Sequence, residues 1–123
     1  MNRTPYCEIL QECGGKFVDF AGFEMPVQFE GILHEHKAVR ENVGLFDVSH
    51  MGEIMLRGKG ALDTIQRLFT NDYNTVKSGR VRYSLMLNDE GGVVDDVLVY
   101  CLSPELYFVC VNASNVEKDF KWI

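Results

Sequence analysis

The sequence predicts an α+β fold in which an antiparallel sheet is flanked by helices. Three runs rich in β-branched and aromatic residues, 81–87, 93–101 and 106–112, predict strands. Short turns join each run to the next, and strands joined this tightly pair antiparallel. Helical patterns over 5–13 and 31–43 precede these strands. Helices followed by an antiparallel meander are typical of the α+β class.

The composition predicts one domain over residues 1–123. The chain has 123 residues, of which 46% are hydrophobic and 24% are charged, and these values are close to those of ordinary globular domains. Internal repeats, low-complexity tracts and linkers are absent from the sequence. A chain of this length buries about two thirds of its unfolded surface, which is enough for one core.

The first half alternates short helices with short apolar segments. The predicted helix at 5–13 begins with a proline and ends before a pair of glycines. A short apolar stretch follows at 16–20, and then an apolar loop at 21–26 that contains a glycine and a proline. The segment 31–43 predicts an amphipathic helix that ends at Gly44. One stripe of this helix contains Ile32, His36, Val39 and Val43.

The middle and the end of the chain complete the pattern. Short strands are predicted at 45–48 and 53–56, with a helix at 60–69 between them and the three long strands. The buried face of that helix is predicted to contain Ala61, Leu62, Ile65, Leu68 and Phe69. A last amphipathic helix begins near Ser114 or Asn115 and reaches Ile123. Because it stops on two large apolar residues, we expect either a longer parent chain or a partner, a second chain or another copy, that covers this end.

Charge and hydropathy exclude several classes of function. Twelve basic and eighteen acidic residues give a net charge of −6, which disfavours non-specific nucleic-acid binding. The mean hydropathy is −0.07, and the sequence contains neither a membrane-spanning run nor a signal peptide at its start. The cysteines Cys7, Cys13, Cys101 and Cys110 form no C-x-x-C pair, so reduced structural thiols in a cytoplasmic protein are expected.

The strand over 93–101 contains the most informative pattern. Because side chains alternate faces along a strand, the adjacent Asp95 and Asp96 point to opposite sides. Asp95 shares its face with core-like valines, whereas Asp96 shares the other face with Leu98 and Tyr100. A carboxylate beside apolar and aromatic groups suits the wall of a pocket for a flat, amine-rich ligand. A solvent-facing strand with an ordinary surface aspartate explains the same pattern.

Other candidate sites are weaker. Asp47, Ser49 and His50 have the residue types of a hydrolytic triad, but they lie within four positions, whereas a triad converges from separate elements. His34 and His36 would face different sides of a helix, unlike the i, i+4 pair of a metalloprotease. On its apolar stripe, His36 is expected to be hydrogen-bonded and partly buried. The sequence therefore predicts no metal site.

A series of longer motifs resembles one known family. The segments VDFAGFEMP at 18–26, VGLFDVSHMG at 43–52 and GGVVDD at 91–96 resemble the aminomethyltransferase of the glycine cleavage system, the T protein. The resemblance continues through Thr70-Asn71-Asp72, Tyr83-Ser84 and the segment 111–119. These blocks cover nearly the whole chain in family order. Family members are several-fold longer, so the resemblance identifies an N-terminal segment.

The resemblance implies a reaction and its reactants. The T protein takes an aminomethyl group from the lipoyl arm of the H protein and passes its methylene carbon to tetrahydrofolate, with release of ammonia. The resemblance assigns Asp96 as the critical acidic residue, on the face that the alternation had selected, and places it close to the folate. The remaining positions implied for the folate site are Met51, Tyr83, Leu98, Tyr100 and Asn112.

Two alternatives remain open at this point. The chain could be a folate-binding domain without catalysis, or a structural fragment that needs a C-terminal partner. Asp96 and the segment SHMG at 49–52 favour the transferase, because a pure binding domain has less need of the acid.

Overall fold

The first fifty residues form a small mixed sheet with two helices. The computed structural model describes residues 1–123, which divide into two compact units, Met1–His50 and Met51–Ile123. The strands of the first unit lie in the order β1-β3-β2, where β2 and β3 are antiparallel and β1 and β3 are parallel. Its elements are β1 (Asn2–Arg3), α1 (Cys7–Glu12), β2 (Lys16–Phe20), β3 (Phe23–Gln28) and α2 (Ile32–Glu41).

The loop predicted at 21–26 is wrong, because most of it belongs to β3. Ala21 and Gly22 have positive φ angles of 54° and 79°, as a two-residue hairpin turn requires. Proline is tolerated at Pro26 because β1 pairs only with Phe23 and Glu24, so the outer edge of β3 is unpaired at Pro26. The glycine of this segment therefore belongs to a tight turn, and its proline lies where one edge of the strand is unpaired.

Helix α2 is shorter than predicted, and its apolar stripe is not buried. Glu35 accepts backbone hydrogen bonds from Phe29 and Gly31 at 2.8 and 2.9 Å, which fixes the start of the helix. These bonds lower the pKa of Glu35. No residue of α2 is buried, and His36 is exposed rather than partly buried as predicted. Helical periodicity thus identified the helix, but the apolar stripe of α2 stays open to solvent.

The strand predicted at 45–48 is also wrong. These residues form a loop in which Leu45 is fully exposed. Asp47 Oδ1 accepts a hydrogen bond of 2.9 Å from the backbone N–H of Ser49, which closes a local turn. These four residues do not form a strand because no neighbouring strand edge pairs with them.

The second unit is a four-stranded antiparallel sheet with helices, and it confirms the α+β prediction. Its strands lie in the order β4-β7-β6-β5, and every pair is antiparallel. The strand bounds agree closely with the three predicted runs. The elements are β4 (Gly52–Arg57), α3 (Ala61–Leu68), β5 (Arg80–Leu87), β6 (Val93–Ser103), β7 (Leu106–Val111) and, after a 3-10 turn at Ala113–Asn115, α4 (Val116–Trp122).

The core of this unit lies between the sheet and α3. Ile65 of α3, Met86 of β5 and Val109 of β7 are completely buried. Ala61 and Phe69 complete the buried face, and Leu62 and Leu68 are half-buried against the same cluster, as the spacing predicted. This core leaves the opposite face of the sheet available for polar side chains.

None of the helices has both the length and the apolar character needed to cross a bilayer.

Candidate functional site

Strand β6 separates its two aspartates as the alternation predicted. Asp95, Val97 and Val99 are buried on the core side of the sheet. Asp96 and Leu98 are exposed on the other side. The adjacent carboxyl groups therefore have different environments, one inside the protein and one at its surface.

The Asp96 carboxylate is held by side chains from two neighbouring strands. Tyr83 of β5 donates its hydroxyl hydrogen bond to Asp96 Oδ2 at 3.1 Å. Asn112, immediately after β7, donates from Nδ2 to Asp96 Oδ1 at 3.1 Å and to the backbone oxygen of Asp96 at 3.0 Å. Because each oxygen of an ionised carboxylate has two lone pairs, each still has a free acceptor site for a ligand.

Tyr83 is a neutral hydrogen-bond donor on an open surface. Its side chain is 61% exposed. The hydrogen bond to Asp96 is the main cause that raises the pKa of Tyr83 above its usual value of 10.0. The hydroxyl therefore keeps its proton throughout the physiological pH range and fixes one oxygen of the carboxylate.

The loop after α3 anchors the strand that positions Tyr83. Asn71 Nδ2 donates to the backbone oxygen of Tyr83 at 2.7 Å. Thr70 makes two bonds with Leu85: its backbone N–H donates to the Leu85 oxygen, and its side-chain oxygen accepts from the Leu85 N–H, both at 3.1 Å. The segment TND at 70–72, part of the resemblance noted above, thus has a structural role next to the site.

The other predicted residues are Leu98, Tyr100 and Met51. Leu98 pairs with Tyr83 across the sheet and therefore adjoins the Asp96 cluster. Tyr100 is one step farther, with its ring edge-on to Phe108 at a centroid distance of 5.3 Å. Met51 lies at the end of the sheet, directly before β4, and shows no hydrogen bond or ring contact with the cluster. The structure thus brings Tyr83, Asp96 and Asn112 into direct contact.

The face around Asp96 is open rather than enclosed. A cleft of about 360 Å³ is lined by Thr75, Lys77, Arg80 and Arg82. Another, of about 440 Å³, is lined by Val93, Val94, Lys118, Lys121 and Trp122. Asp96 borders neither cleft, and Asp96, Tyr83 and Leu98 are all exposed, so these three predicted folate residues form an open surface in this chain.

Asp95, on the buried side, is the acceptor that organises the loop after β7. Asn112 donates to it twice, from the backbone N–H at 3.2 Å and from Nδ2 at 2.9 Å. Asn115 Nδ2 adds a bond of 2.7 Å. Burial alone would raise the pKa of Asp95, but the neighbouring Asp119 carboxyl group and the hydrogen bonds from Asn112 and Asn115 outweigh burial and lower it.

Asn115 and Asp119 are the residues that sequence reasoning did not select. Both lie in the segment 111–119 that resembles the family, but no role was predicted for either. The available signal was helical spacing: Asp119 follows Val116 by three positions and so shares the buried face of α4. A carboxyl group on an apolar helix face points to a specific partner.

Comparison with known proteins decides the family. The family model described as "GCVT N-terminal domain" matches residues 6–123. The chain belongs to this GCVT family. The resemblance found in the sequence is therefore confirmed, and the match includes every residue of the Asp96 cluster.

Several relatives of this GCVT domain are curated as aminomethyltransferases. A protein of that name from Chloroherpeton thalassium is 60% identical over the whole chain, and one from Halothermothrix orenii is 52% identical. The crystal structure of the glycine cleavage system aminomethyltransferase T from Bartonella henselae superposes with a TM-score of 0.93 at 34% identity over 98% of the chain. In each comparison the chain spans about a third of the relative's length, 34%.

Proposed function

We propose that this chain forms the N-terminal part of a glycine cleavage aminomethyltransferase. In this reaction the methylene carbon on the dihydrolipoyl arm of the H protein loses its bonds to sulfur and to the amine nitrogen. It gains two bonds to nitrogens of tetrahydrofolate, while ammonia and the dihydrolipoyl thiol leave. Tetrahydrofolate and the lipoylated H protein are the reactants that the proposal requires, and a cytoplasmic location is part of it.

One observation supports this function most strongly: an exposed carboxylate is oriented by two fixed donors in a domain of the GCVT family. Tyr83 and Asn112 each hold one oxygen of Asp96, so its free lone pairs have a set direction. Such an acceptor suits the N–H groups on the edge of a reduced pterin. Beside this acceptor, Leu98 provides an apolar surface on which the pterin ring can pack.

The residues of the cluster have separate roles in this proposal. Asp96 orients the folate and assists proton movement as a folate nitrogen attacks the methylene carbon. Tyr83 and Asn112 keep the carboxylate in place, so that no side-chain freedom is lost at the moment of reaction. Tyr100 lies farther along β6 and would contact a more distant part of the ligand, whereas Met51 would add an adaptable apolar wall.

The test is an activity assay in a full-length context. A chimera replaces the matching third of the Chloroherpeton thalassium relative with this chain, to which it is 60% identical. Ammonia release is measured with aminomethylated H protein and tetrahydrofolate. We expect turnover in the chimera and a loss of about two to four orders of magnitude on Asp96→Asn.

The controls separate catalysis from folding and from binding alone. Asp89→Asn removes a carboxylate from the exposed turn before β6 and should leave turnover unchanged. If the chimera binds tetrahydrofolate but releases no ammonia, the domain is a folate-binding module and the transferase proposal is wrong. If Asp96→Asn and Asp89→Asn behave alike, Asp96 is not the acid of the reaction.

A further inference from the structure

Asp119 is a completely buried carboxyl group with no role in the proposed reaction. Its side chain has 0% exposure, on the inner face of α4. Both of its oxygens lack a hydrogen-bond donor from the rest of the protein. An ionised carboxylate in that position would lose its hydration without compensation, which is among the most costly arrangements in a protein.

The neighbour of Asp119 is a second carboxyl group that already has its donors. Asp95 receives three hydrogen bonds, two from Asn112 and one from Asn115, at 2.7 to 3.2 Å. Two adjacent carboxylates cannot both ionise readily, so one proton is retained by the pair. Because Asp95 is surrounded by donors and Asp119 has none, the proton belongs on Asp119.

We propose that Asp119 is a positioning residue whose protonated carboxyl group donates a hydrogen bond to Asp95 and thereby holds Asn112 against Asp96. The contacts form a continuous chain from the interior to the surface. Asp119 supports Asp95, Asp95 accepts from Asn112, and Asn112 donates to Asp96. The orientation of the exposed Asp96 carboxylate thus depends on the buried proton of Asp119.

The surroundings of Asp119 favour the neutral form. Burial, then the hydrogen bond with Asp95, then the charge of Asp95 raise the pKa of Asp119 to about 7, while Lys118 of the same helix opposes this. The inner side of β4, which also packs against α4, contributes Gly52, Ile54 and Leu56 and no charged group. Asp95 and Lys118 are therefore the charges that govern this proton.

Loss of the proton should loosen the cluster. Deprotonation places two negative charges side by side in the interior, and their repulsion displaces Asp95 from its position under Asn112. Asn112 then holds Asp96 less firmly. The hydrogen bonding is a property of this chain by itself, whereas its importance for folate binding rests on the proposed function.

The first experiment follows the proton directly in the 123-residue chain. Carboxyl carbons of the aspartates and the side-chain amide of Asn112 are observed by NMR between pH 4.5 and 9. We expect the Asp119 carboxyl to titrate near neutral pH, with the Asn112 amide signals moving at the same midpoint. An Asp119 carboxyl that titrates below pH 5, or an Asn112 amide insensitive to it, would overturn the proposal.

Matched variants test the hydrogen bond. Asp119→Asn keeps a donor toward Asp95 but cannot titrate. The NMR signal of the Asn112 amide should therefore keep its low-pH chemical shift at every pH. Asp119→Ala removes the donor and the charge together, so the Asn112 amide signal should not titrate near neutral pH and should differ from its low-pH shift in the original chain at every pH. Glu117→Gln, an exposed change on the same helix, should behave as the unchanged chain. If Asp119→Asn still shows the neutral titration of Asn112, another group is responsible and the proposal is wrong.

A binding measurement then separates this proposal from the function. If only the protonated form holds Asp96 correctly, the affinity for tetrahydrofolate should fall about three- to tenfold between pH 6 and pH 8 and should be flat in Asp119→Asn. A pH-independent affinity in the unchanged chain would contradict the positioning role. If no folate binds but the Asn112 amide titrates, the hydrogen-bond chain is correct and the claim that this chain recognises folate by itself is wrong.

Discussion

Asn112 contacts Asp96 at two atoms, its carboxylate oxygen Oδ1 at 3.1 Å and its backbone oxygen at 3.0 Å. The same Nδ2 group lies 2.9 Å from Asp95 Oδ1, so its two hydrogens are shared among three acceptors and one amide connects the exposed acid to the buried one. The first residue after β7 therefore links the core of the sheet to its exposed face. A change at Asn112 should therefore affect both the core and the exposed acid.

Asn112→Ala should weaken both the fold and the site. The substitution leaves the buried Asp95 with fewer donors, and the loss of bonds to a charged group should reduce the free energy of unfolding by about 1–3 kcal/mol. It also frees Asp96, so the affinity for tetrahydrofolate should fall about tenfold or more. Urea unfolding and calorimetry measure the two effects. Asn74→Ala, which removes only one local side-chain bond to Asp72, should change neither, and equal effects of both variants would refute the linking role of Asn112.

The paired variants Asp95→Asn and Asp96→Asn should have opposite effects: the first should mainly reduce stability and the second should mainly reduce turnover. Asp95 is buried with three donors around it, so its replacement should cost about 1–3 kcal/mol of stability and affect the chemistry much less. Asp96 is exposed, so its replacement should cost less than about 0.5 kcal/mol but abolish most turnover. Urea unfolding of the chain and ammonia release by the chimera test the pair. Equal losses of turnover in the two variants would contradict the assignment of the strand faces.

Tyr83→Phe should reduce affinity without reducing stability. The change removes the hydroxyl that donates to Asp96 at 3.1 Å but retains the ring. We expect a three- to tenfold weaker binding of tetrahydrofolate, which corresponds to about one net hydrogen bond, and a free energy of unfolding within about 0.5 kcal/mol of the original. Tyr6→Phe, at an exposed position of the first unit, is the matched control. Tyr83→Phe with full affinity would show that the hydroxyl does not orient the acid.

The stability of the chain should fall as the pH rises from about 4 to 7. The folded-state pKa of Asp119, about 7, lies above its usual value of 3.8, so the folded protein binds a proton that the unfolded chain has already released. This contribution is complete below pH 4 and is lost through pH 7, with a total of at most about 4 kcal/mol. The lowered pKa of Asp95 acts in the opposite sense but only at more acidic pH. Urea unfolding should show the slope in the original chain and not in Asp119→Asn; parallel curves would contradict it.

Periodicity predicted most of the fold, because alternation and turn chemistry are local. The strands β5, β6 and β7 and the helix α3 follow directly from patterns in their own residues. The errors occurred where a neighbour decides the outcome. Pro26 is accepted in a strand because β1 stops before it, and the segment 45–48 is a loop because it has no partner edge.

Part of the geometry of the candidate site was also predictable from the sequence. Alternation along β6 is enough to assign Asp96 to the surface and Asp95 to the core. The resemblance added Tyr83 and Asn112, which the structure brings to the Asp96 carboxylate. Asp119 could not be paired with Asp95 from the sequence, because 24 positions separate them and only the packing of α4 brings them together.

The most direct test of the central claim is a calorimetric titration of this chain with tetrahydrofolate, repeated on Asp96→Ala and on the control Asp89→Ala. We expect saturable binding to the original chain and to Asp89→Ala, and at least tenfold weaker binding to Asp96→Ala. Equal binding by all three proteins, or no binding by a chain shown to be folded, would contradict the claim that the Asp96 face of this domain recognises folate.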